Sequence, residues 1–194
     1  MKQFLPLCCL LLLLTGCSKS TVPGPTDAEK GSIRFDCNIS AQVTTIQGGN
    51  TKADQATREL PASCLPDANQ MKLHLTGTST ATEYHYENMA AYDQPLLDPD
   101  DYTAHFTYGD PEAEGPQAAY FEGKTTCTVA ARQTVTQPVT HALANSLYTL
   151  EFSEWFKKYY TSCQIQITTS SGYQSGHTIT SVTDPVPIFV KPNS

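Results

Sequence analysis

Cys17 closes the stretch Leu14-Thr15-Gly16-Cys17, and here the sequence first offers covalent chemistry. Small residues before a cysteine, at the end of an apolar run, form the pattern at which bacterial lipoprotein precursors are cut and lipidated. The expected reaction alkylates the Cys17 thiol with a diacylglycerol, breaks the Gly16–Cys17 peptide bond and acylates the new amine, with palmitate-type chains. One acyl chain anchors a protein marginally, whereas two or three hold it. Lys2 supplies the positive flank and Phe4 to Leu14 the apolar run, interrupted by Pro6 and too short to span a bilayer. Cys8 and Cys9 lie in the segment that would be discarded.

Catalytic arrangements are poor beyond that point. The chain has no Gly-x-Ser-x-Gly elbow, no His-Glu-x-x-His, and neither Walker nor dinucleotide glycines, so no enzymatic activity is expected. His74, His85, His105, His141 and His177 stand singly in predicted strands, which suits solvent-facing or hydrogen-bonded positions; no metal site is expected from them. Asp98, Asp100 and Asp101 surround Pro99, and their carboxylates could suit calcium. The same Asp-Pro-Asp-Asp run is ordinary turn chemistry and lacks an EF-hand loop, so a turn is expected. Cys37, Cys64, Cys127 and Cys163 allow three full pairings or none; no Cys-x-x-Cys spacing suggests zinc, and three of the four sit on apolar alternations as inward core residues. No cofactor is expected apart from the covalent lipid on Cys17.

Tyrosines carry the best binding chemistry. Tyr84, Tyr86 and Tyr92 open a concentration of rings that runs through Tyr102, Tyr108, Tyr120 and Phe121. Exposed rings of this kind stack on sugars, so host or dietary glycans are candidate ligands; packing in or beside the core is the competing role. A contiguous solvent-exposed row would favour glycans.

The elements that must position these residues follow from period and punctuation. Of 194 residues, 1–16 read as the signal peptide, 17–30 as a lipidated, Pro- and Gly-bearing tether, and 31–194 as one β domain. That domain has room to continue into part of a second sandwich after about residue 160. Alternating stretches recur at 32–39, 42–47, 70–76, 82–87, 102–108, 125–130, 134–143, 147–152, 162–169, 177–182 and 186–190, which predicts a β-sandwich or related all-β fold. Residues 48–66 read as a long loop, and Pro185 and Pro187 reduce the last stretch to an edge or irregular strand. Ser153 to Tyr160 reads as a short helical connector, with Ser153 as cap, Glu154 at the positive end and Lys157 and Lys158 at the negative end. Loss of Lys2 takes the net charge from −7 to −8, without basic blocks, which excludes nucleic acid as a partner class.

The span 95–160 resembles uncharacterised domains of Bacteroides-type surface lipoproteins similar to fimbrillins. The matching pieces are Pro99-Asp100-Asp101-Tyr102-Thr103, Tyr108-Gly109-Asp110, Tyr120-Phe121-Glu122-Gly123, a Thr/Val strand pair, Leu143-Ala144-Asn145, and Phe152-Ser153 before Trp155-Phe156-Lys157-Lys158. Weaker agreement runs from Gly31-Ser32-Ile33 to about Val190. The resemblance implies an antiparallel β-sandwich of transthyretin-like or Ig-like type, held at the outer membrane by its lipid, in surface adhesin or pilus-like systems without enzymatic activity. It also implies assembly with other fimbrial subunits by strand exchange after an arginine-specific cut, for which Arg58 and Arg34 are the candidates; an ordinary loop charge and an outward strand residue are the competing readings. Two departures stand out. Asp101 replaces the usual glycine before the tyrosine, and the chain is shorter than the tandem-sandwich shaft subunits, which points to an accessory, an anchor or a fragment of a longer protein. The cell surface is the expected face, although Ser18-Lys19-Ser20 lack the acidic run that often accompanies surface export.

Overall fold

The computed structural model describes residues 27–46, 55–172, 174–175, 178–179 and 187–191. Cys17, Gly16 and His177 lie outside the described residues. Ile33, Phe35, Cys37 and Ile39 turn inward along β1 (Ser32–Ile39), while Arg34, Asp36 and Asn38 are exposed. The two-residue period of a strand thus separates a core face from a wet one. The chain continues through β2 (Gln42–Ile46), β3 (Gln55–Glu59), β4 (Lys72–Gly77), β5 (Glu83–Tyr86), β6 (Asp100–Tyr108), β7 (Phe121–Val129), β8 (Thr134–Leu143) and β9 (Ser146–Tyr148). After the helix α1 (Glu154–Tyr159) come β10 (Cys163–Gln164), β11 (Ile167–Thr168), β12 (Gln174–Ser175), β13 (Thr178–Ile179) and β14 (Ile188–Val190). The fold is mostly β. Among the described residues no helix is long and apolar enough to cross a membrane.

The principal sheet has the order β1-β8-β7-β6-β4-β5. It is mixed, not antiparallel throughout: β1 runs parallel to β8 over eight pairs, from Ser32↔Thr134 to Ile39↔His141. The cause lies at one end of the sheet, where Arg132 N–H donates to Lys30 O and Ser32 N–H donates to Gln133 O at 2.8 and 2.9 Å. Both strands therefore leave the same corner side by side, and the intervening elements supply the long crossover that parallel neighbours need.

The ladder between strands β7 and β8 consists of Phe121↔Leu143 and Glu122↔Ala142. Gln137 Nε2 reaches across to Thr125 Oγ1 at 2.7 Å. The sheet curls, and the Phe35 ring of β1 meets Phe106 of β6 edge-on at 5.0 Å. Ile33, Leu73, Leu75, Tyr102, Phe106, Phe121 and Val129 are buried in the resulting core.

Helix α1 forms where expected, with Ser153 Oγ accepting from Phe156 N–H at 3.2 Å and Lys157 paired with Glu154. The expected loop at 48–66 contains β3, antiparallel to β2. Gln-Ala-Thr-Arg-Glu has no apolar alternation, and its extended form comes from the partner strand. The expected strand at 162–169 divides into β10 and β11, paired with β13 and β12 respectively; of the expected strand at 177–182 only 178–179 falls within the described residues, as β13. Strand β14 follows Pro187, pairs with β9 and is buried at all three residues. Phe189 and Gly115 exchange backbone bonds of 2.8 and 2.9 Å, which seats β14 in the same core.

Candidate functional site

The outward face of β5-β4-β6 carries a row of imidazoles that sequence spacing did not reveal. Leu73 and Leu75 point into the core, so His74 between them points out; His85 and His105 alternate outward in the same way on β5 and β6. The register sets His74 directly opposite both His85 and His105. Cross-strand partners on one face hold their Cβ atoms about 5 Å apart, so side chains meet without loop closure. His74 and His85 stack with ring centroids 4.2 Å apart.

Glu83, two residues before His85 on β5, places its Oε2 at 3.7 Å from His74 Nε2 and 3.4 Å from His85 Nε2. The ligating atoms of these three side chains all lie within 4.8 Å of one another. His105 turns the other way and bonds Glu122 Oε1 through Nε2 at 2.6 Å. The three imidazoles share a shallow recess with Lys72, Glu87 and Thr107, in which Lys72 is neutralised by Glu87 at 3.0 Å. The fourth described histidine differs in kind: His141 is fully buried, and its two nitrogens lack partners.

Tyr84, Tyr86 and Tyr92 are half-buried and pack against the core. Tyr86 meets Tyr92 edge-on at 5.1 Å, and the Tyr92 hydroxyl donates to Ile33 O at 2.9 Å. Their rings are engaged in packing. Exposed aromatic surface lies instead on α1, where Trp155 and Tyr159, 70% and 62% exposed, stack at 5.7 Å. Lys158 Nζ sits 5.4 and 5.6 Å from the two ring centroids. The spacing i, i+4 on a helix brings those rings together, a signal the sequence contained.

The acidic cluster does turn work. Asp100 accepts from Ser79 N–H, Thr80 N–H, Thr80 Oγ1 and Asp101 N–H, closing the β4–β5 turn. The Thr80 amide leads this set in holding the Asp100 carboxyl well below the usual range. Asp101 accepts from Thr128 Oγ1 at 2.5 Å, and Asp98 faces Lys30 at 3.8 Å.

Cys37, Cys64, Cys127 and Cys163 are free thiols. Burial, with Asp36 and Asp101 respectively, pushes the Cys37 and Cys127 thiols up and away from reactivity. The side chain of Arg34 is exposed, but its backbone is held in β1 opposite Thr136. Arg58 lies on β3 and pairs with Glu151.

No curated protein and no solved structure gives a significant match to the chain. A family model described as a domain of unknown function, DUF4493, matches residues 29–194, which take in every strand described above, and the chain belongs to that family.

Proposed function

We infer that this is a lipid-anchored cell-envelope protein with a structural or adhesive role, a fimbrillin-like pilus accessory, anchor or adhesin component built as a β-sandwich. It sits at the outer membrane through Cys17, on the cell surface, and works without enzymatic chemistry. The observation that carries the reading is the place of β1. It lies at the edge of the sheet with β8 as its one strand partner among the described residues, yet it supplies Ile33, Phe35, Cys37 and Ile39 to the core. A strand so placed leaves an open backbone edge and an apolar groove when it departs, and a strand from a neighbouring subunit would fill both.

Fractionation and proteolysis test this together. Wild-type protein is expected in outer-membrane fractions, labelled by radioactive palmitate and shaved from intact cells, while C17S loses label and membrane. Both arginines lie in paired backbone, Arg34 in the six-stranded sheet and Arg58 in the two-stranded β2–β3 ribbon. An arginine-specific protease is expected to cut folded protein at Arg58 first, because the smaller ribbon opens more readily, and the cut product is expected to form strand-exchanged oligomers. Monomer that persists after clean cutting would overturn strand exchange; a soluble, unlabelled wild type would overturn the anchor.

A second reading, surface glycan binding, is favoured by one observation, the exposed Trp155–Tyr159 stack beside Lys158. It moves the binding surface from the packed tyrosines to α1. Trp155 is the sole tryptophan of the chain, so saccharide titration followed by tryptophan fluorescence reads this surface directly. No shift across a polysaccharide panel would remove the reading.

A further inference from the structure

We propose that His74, Glu83 and His85 form a binding site for a divalent transition-metal ion of the zinc type, at the polar edge of the sheet opposite β1. The donor set is two imidazoles and a carboxylate, the combination that suits zinc and excludes a dedicated calcium site, which calls for oxygen ligands throughout. Geometry agrees. In a tetrahedral zinc centre with bonds of about 2.0–2.1 Å, ligand atoms stand about 3.3 Å apart. The two imidazole-to-Glu83 separations are 3.7 and 3.4 Å. All three donor atoms lie within 4.8 Å of one another, and binding requires the stacked imidazoles to rotate so that both lone pairs turn toward one ion.

The backbone supplies the preorganisation. His74 and His85 are direct partners on adjacent strands, and Glu83 stands two residues along the same face as His85. None of the three is needed by the core, since His85 and Glu83 are exposed and His74 is half-buried. Thr76 Oγ1 lies 3.4 Å from His74 Nε2, a neutral neighbour of the same donor atom. His105 is held by Glu122 and stays outside the ligand set. The neighbouring cation Lys72 is already balanced by Glu87 and does not oppose a second positive charge.

Because the ligands come from β4 and from β5, an ion here ties the four-residue edge strand to its neighbour. Edge strands are where sheets open and mispair, so a clip at β5 confines strand traffic to the other edge. This holds whether or not β1 is exchanged.

Zinc chloride is titrated by calorimetry into the full-length, tag-free protein, and into H85Q, E83Q and H105Q variants whose unfolding in metal-free buffer matches wild type. The expected result is one zinc per chain with a micromolar dissociation constant, weakened about tenfold or more by H85Q and by E83Q, and less than about threefold by H105Q. Zinc is also expected to slow amide exchange across Glu83–Tyr86 in wild type and not in E83Q. Binding no tighter than millimolar, or binding that H85Q and E83Q leave intact, would overturn the site; a loss in H105Q equal to that in H85Q would overturn the ligand set.

Discussion

His141 sits against Phe106, ring centroids 4.9 Å apart, in space that exists because residue 123 has no side chain. A Cβ built on Gly123 would stand 2.3 Å from His141 Nδ1. G123A is therefore expected to destabilise by about 1–3 kcal/mol in urea unfolding, the range for overfilling a packed core. Burial holds the His141 imidazole below the ordinary histidine range. The unfolded chain takes up a proton below about pH 6.5 that the folded chain refuses, so stability falls with acid, by at most about 1.4 kcal/mol per pH unit for one proton. Replacement of His141 by Leu removes this contribution, and unfolding measured between pH 7.5 and 5.5 should show a flatter slope than wild type. Single residues were the hardest part to foresee from sequence. His74, His85 and His105 look scattered in the chain, and only the strand register makes them neighbours; nothing local in the sequence encodes that register. Asp100 was easier, because Asp and Pro beside Asp favour a turn through hydrogen bonds that need no distant partner.

Elements were legible where burial imposes a period. Strands β1 and β8 carry unbroken alternation and end where the sequence predicts, and α1 is bounded by its Ser153 cap and its last-turn lysines. Strand β3 is not legible because its extended form is imposed by β2, nor is the parallel union of β1 with β8, which depends on a corner formed by residues 30 and 132. Tyr92 shows how the edge strand is kept. Its hydroxyl crosses to Ile33 O, and burial, the leading cause, holds the phenol above its ordinary range, so it remains a protonated donor in alkaline solution. Y92F removes one hydrogen bond while preserving the contacts with Phe35 and Tyr86. A loss of about 1 kcal/mol is expected. Hydrogen exchange should localise it, with faster opening of the Ser32–Ile39 amides and little change in β6 and β7.

At the scale of the whole molecule, the open matter is whether the chain after residue 160 stands apart or belongs to the body that holds β1. Phe189 decides it. The residue is 1% exposed, packs in the core with Ile33 and Phe121, and is bridged to Gly115 on the segment between β6 and β7. Glu114, beside that bridge, accepts from Lys191 N–H at 2.9 Å and from Thr169 Oγ1 at 3.1 Å, joining the residue after β14 and the β11 region to one carboxylate. Truncating a buried Phe to Ala costs about 3–5 kcal/mol, a large share of the 5–15 kcal/mol that holds a typical domain together. If the terminal strand is part of one cooperative body, F189A should shift the entire unfolding curve to lower urea, with circular dichroism and Trp155 fluorescence moving together. If the tail forms a separate unit, the major transition should stay in place and a second, weaker one should appear before it. Coincident curves are the expected outcome, because a buried ring shared by both parts cannot leave one of them without opening the other.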